Sequence, residues 1–222
     1  MLKEPLHFGD PDAKNILIQI TGEQETDFLQ REFGQIRALS GRNDLALIAI
    51  PVSDWNLDLS PWEAPAVFGN EGFGGGAQKT LDELSERVRT IRKTAVPDAK
   101  LYLGGYSLAG LFALWAGTQT DAFNGIAAAS PSVWFPGFTD YLKEHPVRTE
   151  RVYLSLGDKE ERTRHPVMRT VGDAIRETEN IYIRQGRETK LEWNPGNHFK
   201  EPDLRMAKGF AWLLDRSQKR SE

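Results

Sequence analysis

The segment GGYSLAG, residues 104–110, places a serine between a short apolar run and an apolar stretch of helical character. A serine at a sharp strand-to-helix turn has a strained backbone, which lifts its hydroxyl above the edge of the sheet. Gly105 and Ala109 supply the small side chains that such a turn needs, although Ala109 departs from the common G-x-S-x-G pattern. We predict that Ser107 is a nucleophile and that the Leu108 N–H, at the helix N-terminus, is an oxyanion donor. A serine that merely caps the helix is the alternative.

A serine hydroxyl becomes a good nucleophile only when an imidazole within hydrogen-bond reach takes its proton. The chain has 4 histidines. His7 precedes the first predicted strand, and His145 and His165 each precede a proline in a polar connection. Only His198 lies after the last predicted strand and before the last predicted helix, where a base reaches the same sheet edge as the nucleophile. We therefore predict that His198 is the base, a surface loop histidine being the alternative.

The carboxylate that orients the base is expected at a strand end between nucleophile and base in the chain. The predicted strand Arg151–Leu156 runs into the sequence GDKEER, which contains three acids. A carboxylate here would hold the imidazole tautomer and stabilise the imidazolium as it forms. The spacing favours Glu160, with Asp158 as the alternative acid. Glu161, or a charged surface loop without a catalytic acid, remains open.

A second oxyanion donor is expected from the loop after the first predicted strand, which reads ITGE over residues 20–23. Gly22 has the conformational freedom to turn a backbone N–H toward the site. An ordinary turn explains the same residues, and the donor N–H could belong to Thr21, Gly22 or Glu23. Gly22 is the candidate.

The elements that must position these residues follow from the hydrophobic pattern. Apolar runs of strand length alternate with longer segments of helical period, which is typical of a parallel sheet covered on both faces. Six strands are predicted, near Asn15–Ile20, Leu45–Val52, Lys100–Leu103, Gly125–Ala129, Arg151–Leu156 and Lys190–Trp193. Five helices are predicted, over Glu25–Leu39, Gln78–Thr94, Leu108–Gly117, Pro166–Ile183 and Glu201–Arg216. The pairs His165-Pro166 and Glu201-Pro202 predict helix starts, because proline is tolerated in the first helical turn.

Composition narrows the class of protein. The 222 residues carry a net charge of −4 and no cysteine, so disulfides, thiolate metal sites and a cysteine nucleophile are excluded. The acidic balance argues against nucleic acid as a partner. No apolar run approaches the ~20 residues that a membrane span needs, and the charged N-terminal segment does not resemble a secretory signal. We expect a cytoplasmic protein with one domain over residues 1–222 and a polar tail at about 217–222.

The motifs GGYSLAG, SPSVW at residues 130–134, SLGDKE and GNHF together resemble those of the α/β-hydrolase superfamily. More narrowly, the chain resembles the enterochelin-esterase and esterase D-like group, which has a segment similar to residues 59–61 and 74–77 before the nucleophile strand. The likeness spans Asn15 to about Leu214. It implies a single-domain α/β-hydrolase fold. We expect the chain to depart from larger relatives in lacking their N-terminal strands and any inserted cap domain, so the siderophore-cleaving members are a poor guide to the substrate.

The same resemblance implies a Ser-acid-His triad on Ser107, Glu160 (or Asp158) and His198. It also implies small-molecule ester substrates and neither a metal nor an organic cofactor. The expected function is that of a carboxylesterase-like serine hydrolase, acting on small or medium acyl esters through an acyl-enzyme. The alternatives are an acyltransferase or a peptidase on the same triad, and a non-catalytic ligand-binding homologue. The residues do not specify the oligomeric state.

The loops expected to overhang the nucleophile are rich in aromatic residues. They contain Trp55, Trp62, Phe68, Phe73, Trp134, Phe135 and Phe138. We predict an apolar acyl or alcohol pocket with Trp134 and Trp55 as substrate-binding residues, core packing being the alternative for each ring. The long irregular segment 53–76 is expected to be functional or a lid. Its glycine run does not predict a phosphate site, because no strand precedes it and no Lys-Ser/Thr follows.

Overall fold

The strand Asn15–Thr21 is buried along its whole length, as expected of an interior strand in a parallel sheet with both faces covered. The computed structural model describes residues 1–67 and 69–215. Its strands are β1 (Leu6–Gly9), β2 (Asn15–Thr21), β3 (Leu45–Pro51), β4 (Glu63–Ala64), β5 (Phe73–Gly74), β6 (Lys100–Tyr106), β7 (Gly125–Ala129), β8 (Arg151–Gly157) and β9 (Glu188–Asn194). Its α-helices are α1 (Leu29–Ser40), α2 (Trp55–Leu59), α3 (Ala77–Thr94), α4 (Leu108–Gln119), α5 (Phe138–Glu144), α6 (Val171–Arg184) and α7 (Pro202–Leu214).

The main sheet has seven strands in the order β1-β3-β2-β6-β7-β8-β9, and β4 pairs only with β5. Only β1 runs antiparallel within the main sheet; the remaining neighbours pair in parallel. The chain builds outward from β2 to β3 and then returns to add β6 on the other side of β2. Ligand sites in such sheets lie at the carboxyl ends of the strands where the strand order reverses. The loops after β2 and β6 meet at that place.

Helices cover both faces of the sheet. On one face, Phe33 of α1 and Phe210 of α7 belong to one buried cluster. On the other, Leu84 of α3 and Ile175 of α6 belong to a second cluster with α4, which is buried on all sides. A helix that is apolar all round is stable only in such an interior position. The predicted α/β class, with a mostly parallel sheet and helices on both faces, is confirmed.

Several boundaries differ from the sequence prediction. The strand β1 was not expected because its side chains are mostly exposed, so an antiparallel edge strand shows no continuous apolar run. The segment 53–76 is less irregular than predicted, since it contains α2 and the β4–β5 pair, and α5 is a further short helix. The predicted start at His165-Pro166 is wrong, because α6 begins at Val171 after a 3-10 turn at Met168–Thr170. Pro202 does begin α7.

Phe68, the predicted helix end at Arg216 and the predicted polar tail lie outside the described residues. Within residues 1–67 and 69–215, no helix is both long and apolar enough to cross a membrane.

Candidate active site

Ser107 occupies the turn between β6 and α4 with φ 56° and ψ −120°. A positive φ is uncommon for a residue with a side chain, and the backbone around Ser107 holds it there. Its N–H donates to the Ala129 carbonyl at 3.1 Å, and its carbonyl accepts from the Ser132 N–H at 3.0 Å. A Cβ at Gly105 would lie 2.5 Å from the Ala109 carbonyl carbon and 2.8 Å from the Ala109 Cβ. Alanine therefore fits at position 109 because position 105 has no side chain.

His198 lies in the loop between β9 and α7, at the same sheet edge as Ser107. Its Nε2 is 3.1 Å from Ser107 Oγ, and its Nδ1 is 2.7 Å from Glu160 Oε2. A proton on Nδ1 facing the carboxylate leaves Nε2 as the acceptor for the serine hydroxyl. The His198 carbonyl accepts a hydrogen bond of 2.5 Å from the Tyr106 hydroxyl, which fixes the loop above β6. The structure thus brings three predicted site residues into one hydrogen-bonded line.

The Glu160 carboxylate is 2% exposed and accepts hydrogen bonds on both oxygens. Besides the contact with His198, its Oε1 accepts from the Gly157 N–H at 2.7 Å and from the Ser130 hydroxyl at 2.8 Å. Burial alone would raise the pKa of Glu160, but the hydrogen bond and charge of His198, the Gly157 N–H and the Ser130 hydroxyl hold that pKa below its ordinary value. The carboxyl is therefore ionised at neutral pH.

The two other acids of this loop face elsewhere. Asp158, the alternative acid from the sequence, accepts the Gly196 N–H at 2.8 Å and is exposed. Glu161 forms an ion pair with Arg176 at 3.3 Å. The carboxylate in contact with His198 is Glu160, and Asp158 instead braces the loop that carries the histidine.

Arg205 is a site residue that the sequence analysis missed. This α7 side chain is buried, and its Nη1 lies 2.8 Å from Glu160 Oε1, 2.9 Å from Ser130 Oγ and 3.2 Å from the Tyr106 hydroxyl. Its Nη2 donates to the Asn197 carbonyl at 2.8 Å, next to the histidine. A signal was present, since an arginine at position 205 shares a helix face with the buried positions 209 and 213. Buried charges are normally paired, so an arginine on an apolar face indicates a buried partner.

Tyr106 links this arginine to the base. Burial raises the pKa of its hydroxyl to about 12. The hydroxyl therefore stays protonated at neutral pH, donating to His198 and accepting from Arg205.

The candidate oxyanion donors lie around the nucleophile turn. Leu108 is the first residue of α4, where backbone N–H groups point out of the helix end. Ile20 pairs with Gly105 in the parallel register of β2 and β6, so the loop that contains Gly22 leaves the sheet beside the turn that carries Ser107. The Ser132 hydroxyl, not anticipated from the sequence, lies 3.5 Å from Ser107 Oγ.

A cavity of about 500 Å³ opens at the nucleophile and contains both Ser107 and His198 in its wall. Its other lining residues include Ser132, Trp134, Lys159, Arg162, Met168 and Phe199. Trp134 thus lies where the sequence predicted a substrate-binding residue. Trp55, also predicted to bind substrate, does not line this cavity; it begins α2 and packs, partly buried, against the hydrophobic core. Gly22 is likewise not part of the cavity wall.

The arrangement can activate a hydroxyl. An imidazole positioned to accept the Ser107 proton is backed by a carboxylate that stays ionised and can stabilise the imidazolium. In the part of the chain that the structure describes, no group of three or more His, Asp or Glu side chains is arranged to hold a metal ion.

Known proteins of similar structure share the fold. No protein-family model matches the chain, and no curated protein matches its sequence. The IroE-like serine hydrolase from Shewanella oneidensis matches with a TM-score of 0.76 and 16% identity, covering 92% of this chain and 71% of that chain. The siderophore hydrolase EstA from Aspergillus nidulans matches with a TM-score of 0.69 and 20% identity, covering 93% of this chain and 84% of that chain. The S-formylglutathione hydrolase FrmB from Staphylococcus aureus matches with a TM-score of 0.60 and 14% identity, covering 91% of this chain and 82% of that chain.

These likenesses define an α/β-hydrolase-type fold. The predicted resemblance to the esterases of that superfamily is confirmed at the level of the fold.

Proposed function

We propose that this protein is a serine hydrolase that cleaves esters, with Ser107 as nucleophile, His198 as base and Glu160 as the orienting acid. One observation carries the proposal: the hydrogen-bonded line from Glu160 Oε2 through the imidazole to Ser107 Oγ, with distances of 2.7 and 3.1 Å. The strained backbone of Ser107 supports it, because strain at a nucleophile turn is a feature of acyl-transfer sites. The fold supports it further, since the similar structures are called hydrolases.

In the first half of the reaction, Ser107 Oγ attacks the ester carbonyl carbon while His198 Nε2 takes the hydroxyl proton. The oxyanion that forms is bound by the Leu108 N–H and by an N–H of the Gly22 loop. Collapse of the tetrahedral intermediate breaks the bond to the alcohol oxygen. The alcohol leaves with the proton from His198, and the acyl group stays on Ser107.

In the second half, a water attacks the acyl carbon and gives a proton to His198 Nε2. The second tetrahedral intermediate releases the carboxylic acid, and Ser107 Oγ regains the proton. Ester and water are thus converted to acid and alcohol. Glu160 keeps its charge throughout, because the donors around it hold its pKa below the ordinary value. Each step uses only these side chains, backbone N–H groups and water.

The substrate is expected to be a small molecule. A cavity of about 500 Å³ beside the nucleophile suits a small or medium acyl or alcohol group, and Trp134 and Met168 give it apolar surface.

The direct test combines turnover with covalent labelling. We expect Ser107→Ala to abolish hydrolysis of p-nitrophenyl acetate and labelling by a fluorophosphonate, while Ser85→Ala, a hydroxyl removed on α3, keeps both. Peptide mapping should locate the label at residue 107 and not at Ser132, whose hydroxyl is 3.5 Å away. Turnover that survives Ser107→Ala, or a label at another residue, would overturn the assignment.

A further inference from the structure

The wall of the active-site cavity carries two basic side chains. Lys159 and Arg162 both line the cavity together with Ser107 and His198, and both are exposed. They belong to one turn, since the Arg162 N–H donates to the Lys159 carbonyl at 3.2 Å. The Lys159 N–H donates to the Gly196 carbonyl at 3.1 Å, which ties the turn to the loop that carries His198. The two cations are therefore held beside the reaction centre by backbone contacts.

The neighbouring acids are engaged elsewhere. Glu160 is bound by His198 and Arg205, Glu161 pairs with Arg176, and Asp158 accepts the Gly196 N–H. Across residues 1–67 and 69–215, no acidic side chain forms an ion pair with Lys159 or Arg162. Glu160, the carboxylate among the described residues of the cavity wall, is already compensated by the buried Arg205. The cavity consequently has an excess of positive charge, and a cleft with one sign of charge concentrates ligands of the opposite sign.

We propose that Lys159 and Arg162 select ester substrates that carry an anionic group, with Trp134, Met168 and Phe199 contacting the apolar part of the same molecule. The inference rests on the proposed function, because it names the substrate class of that site. It concerns the portion of the substrate in the cavity, which can be either the acyl chain or the alcohol.

Matched pairs of esters test the charge alone. One pair is the p-nitrophenyl monoester of adipic acid and its methyl ester, which place or remove a carboxylate in the acyl chain. The other is 4-acetoxybenzoate and its methyl ester, which do the same in the alcohol. The variants are Lys159→Met, Arg162→Gln and the double variant. Arg164→Gln is the matched control, since Arg164 is exposed in the same loop but does not line the cavity.

We expect the wild type to prefer the charged member of at least one pair by about tenfold in kcat/KM. This factor is the product of about threefold from each of the two cations. The double variant should lose this preference, with a larger fall in kcat/KM for the charged ester than for the neutral one, and Arg164→Gln should keep the preference. Raising NaCl from about 0.05 M to about 0.5 M should weaken it in the wild type, because salt screens exposed charges. Equal rates for both members of both pairs, or a double variant that keeps the preference, would overturn the proposal.

A binding measurement separates this inference from the hydrolytic mechanism. Ser107→Ala should bind 4-acetoxybenzoate or monomethyl adipate more tightly than the corresponding methyl ester, as measured by calorimetry without turnover. If the wild type hydrolyses no ester but this variant binds the anion preferentially, the mechanism fails and the anion site stands. If esters are hydrolysed without any charge preference in rate or binding, the cations are only a solvated surface and the mechanism stands.

Discussion

Arg205 Nη1 lies 2.8 Å from Glu160 Oε1, and each side chain is 2% exposed. The pair joins α7 to the loop after β8 beneath the imidazole of His198. Burying two charges is costly unless further hydrogen bonds satisfy them, and here Ser130, Gly157 and the Asn197 carbonyl supply those bonds. The carboxylate is thus fixed by donors other than the histidine, so its orientation does not depend on the group that it orients.

Replacement of the arginine should leave a buried carboxylate without its cation. We expect Arg205→Met to lower the free energy of unfolding by about 3–5 kcal/mol, the cost of breaking a buried ion pair. Arg205→Lys keeps the charge but not the fork of donors, so its loss should be smaller. Lys208→Met, on the same helix and only partly buried, should cost less than about 1 kcal/mol in urea unfolding. A stable Arg205→Met protein with normal activity would argue that the pair is unimportant.

The acid is identified by comparing two carboxylates of one loop. Glu160→Gln removes the charge behind His198, and we expect kcat to fall by about 10⁴-fold, as expected when an orienting carboxylate becomes an amide. Asp158→Asn keeps an oxygen acceptor for the Gly196 N–H, and we expect a loss of about tenfold at most. Steady-state kinetics on p-nitrophenyl acetate measure both. The reverse ranking would assign the role to Asp158.

The lowered pKa of Glu160 makes stability depend on pH in a defined direction. The folded state holds the pKa of Glu160 below its ordinary value of about 4.3, so the ionised carboxylate stabilises the folded protein. This stabilisation is present in full at pH values above the ordinary pKa. The contribution is lost as pH falls through the folded value. Urea unfolding should show the wild type more stable than Glu160→Gln at pH 7, with the difference shrinking below about pH 5. A difference that is constant down to about pH 3 would contradict the shift.

The nucleophile turn depends on a missing side chain. Gly105→Ala places a Cβ 2.5 Å from the Ala109 carbonyl carbon and oxygen, so the turn must open and Ser107 must move. We expect at least about a hundredfold lower kcat, since small displacements of a reacting group are costly. Gly34→Ala is the matched control: its Cβ would meet nothing within 4 Å on α1, and it should raise the free energy of unfolding by about 0.5–1 kcal/mol. Normal activity of Gly105→Ala would remove the steric argument.

The Tyr106 hydroxyl should matter where a second buried tyrosine does not. Tyr106→Phe loses the donor to the His198 carbonyl and the acceptor of Arg205, so we expect kcat to fall about tenfold, with a smaller change in KM. Tyr182→Phe removes a buried hydroxyl that has no hydrogen-bond partner among the described residues, and it should leave stability unchanged or slightly raised. Steady-state kinetics and thermal unfolding of both variants measure these effects. Equal effects of the two substitutions would show that the Tyr106 hydrogen bonds contribute nothing specific.

Much of the site could be predicted because its signals are local. Ser107, Glu160 and His198 each follow a strand of the parallel part of the sheet, and parallel strands bring their carboxyl ends to one edge. The choice between Glu160 and Asp158 needed coordinates, since both are acids of one loop and the sequence does not show which carboxylate faces His198. The packing of Trp55 against the core could not be predicted, because its position after a strand does not reveal the short helix α2 that it begins.

The unpredicted parts depend on contacts between distant segments. Arg205 meets Glu160 across 45 positions, and only the docking of α7 on the sheet buries both. The edge strand β1 was missed because exposed side chains give no apolar pattern, although backbone pairing with β3 makes it a strand.

The buried arginine on α7 also bears on biosynthesis. Among the described elements, α7 is made last, yet its guanidinium holds the carboxylate, the histidine loop and Tyr106 in register. A nascent polypeptide in which α7 is still inside the ribosome therefore has Ser107 but lacks the guanidinium contacts that hold Glu160 and the His198 loop. On the proposed mechanism, the triad is complete only after α7 has docked on the sheet.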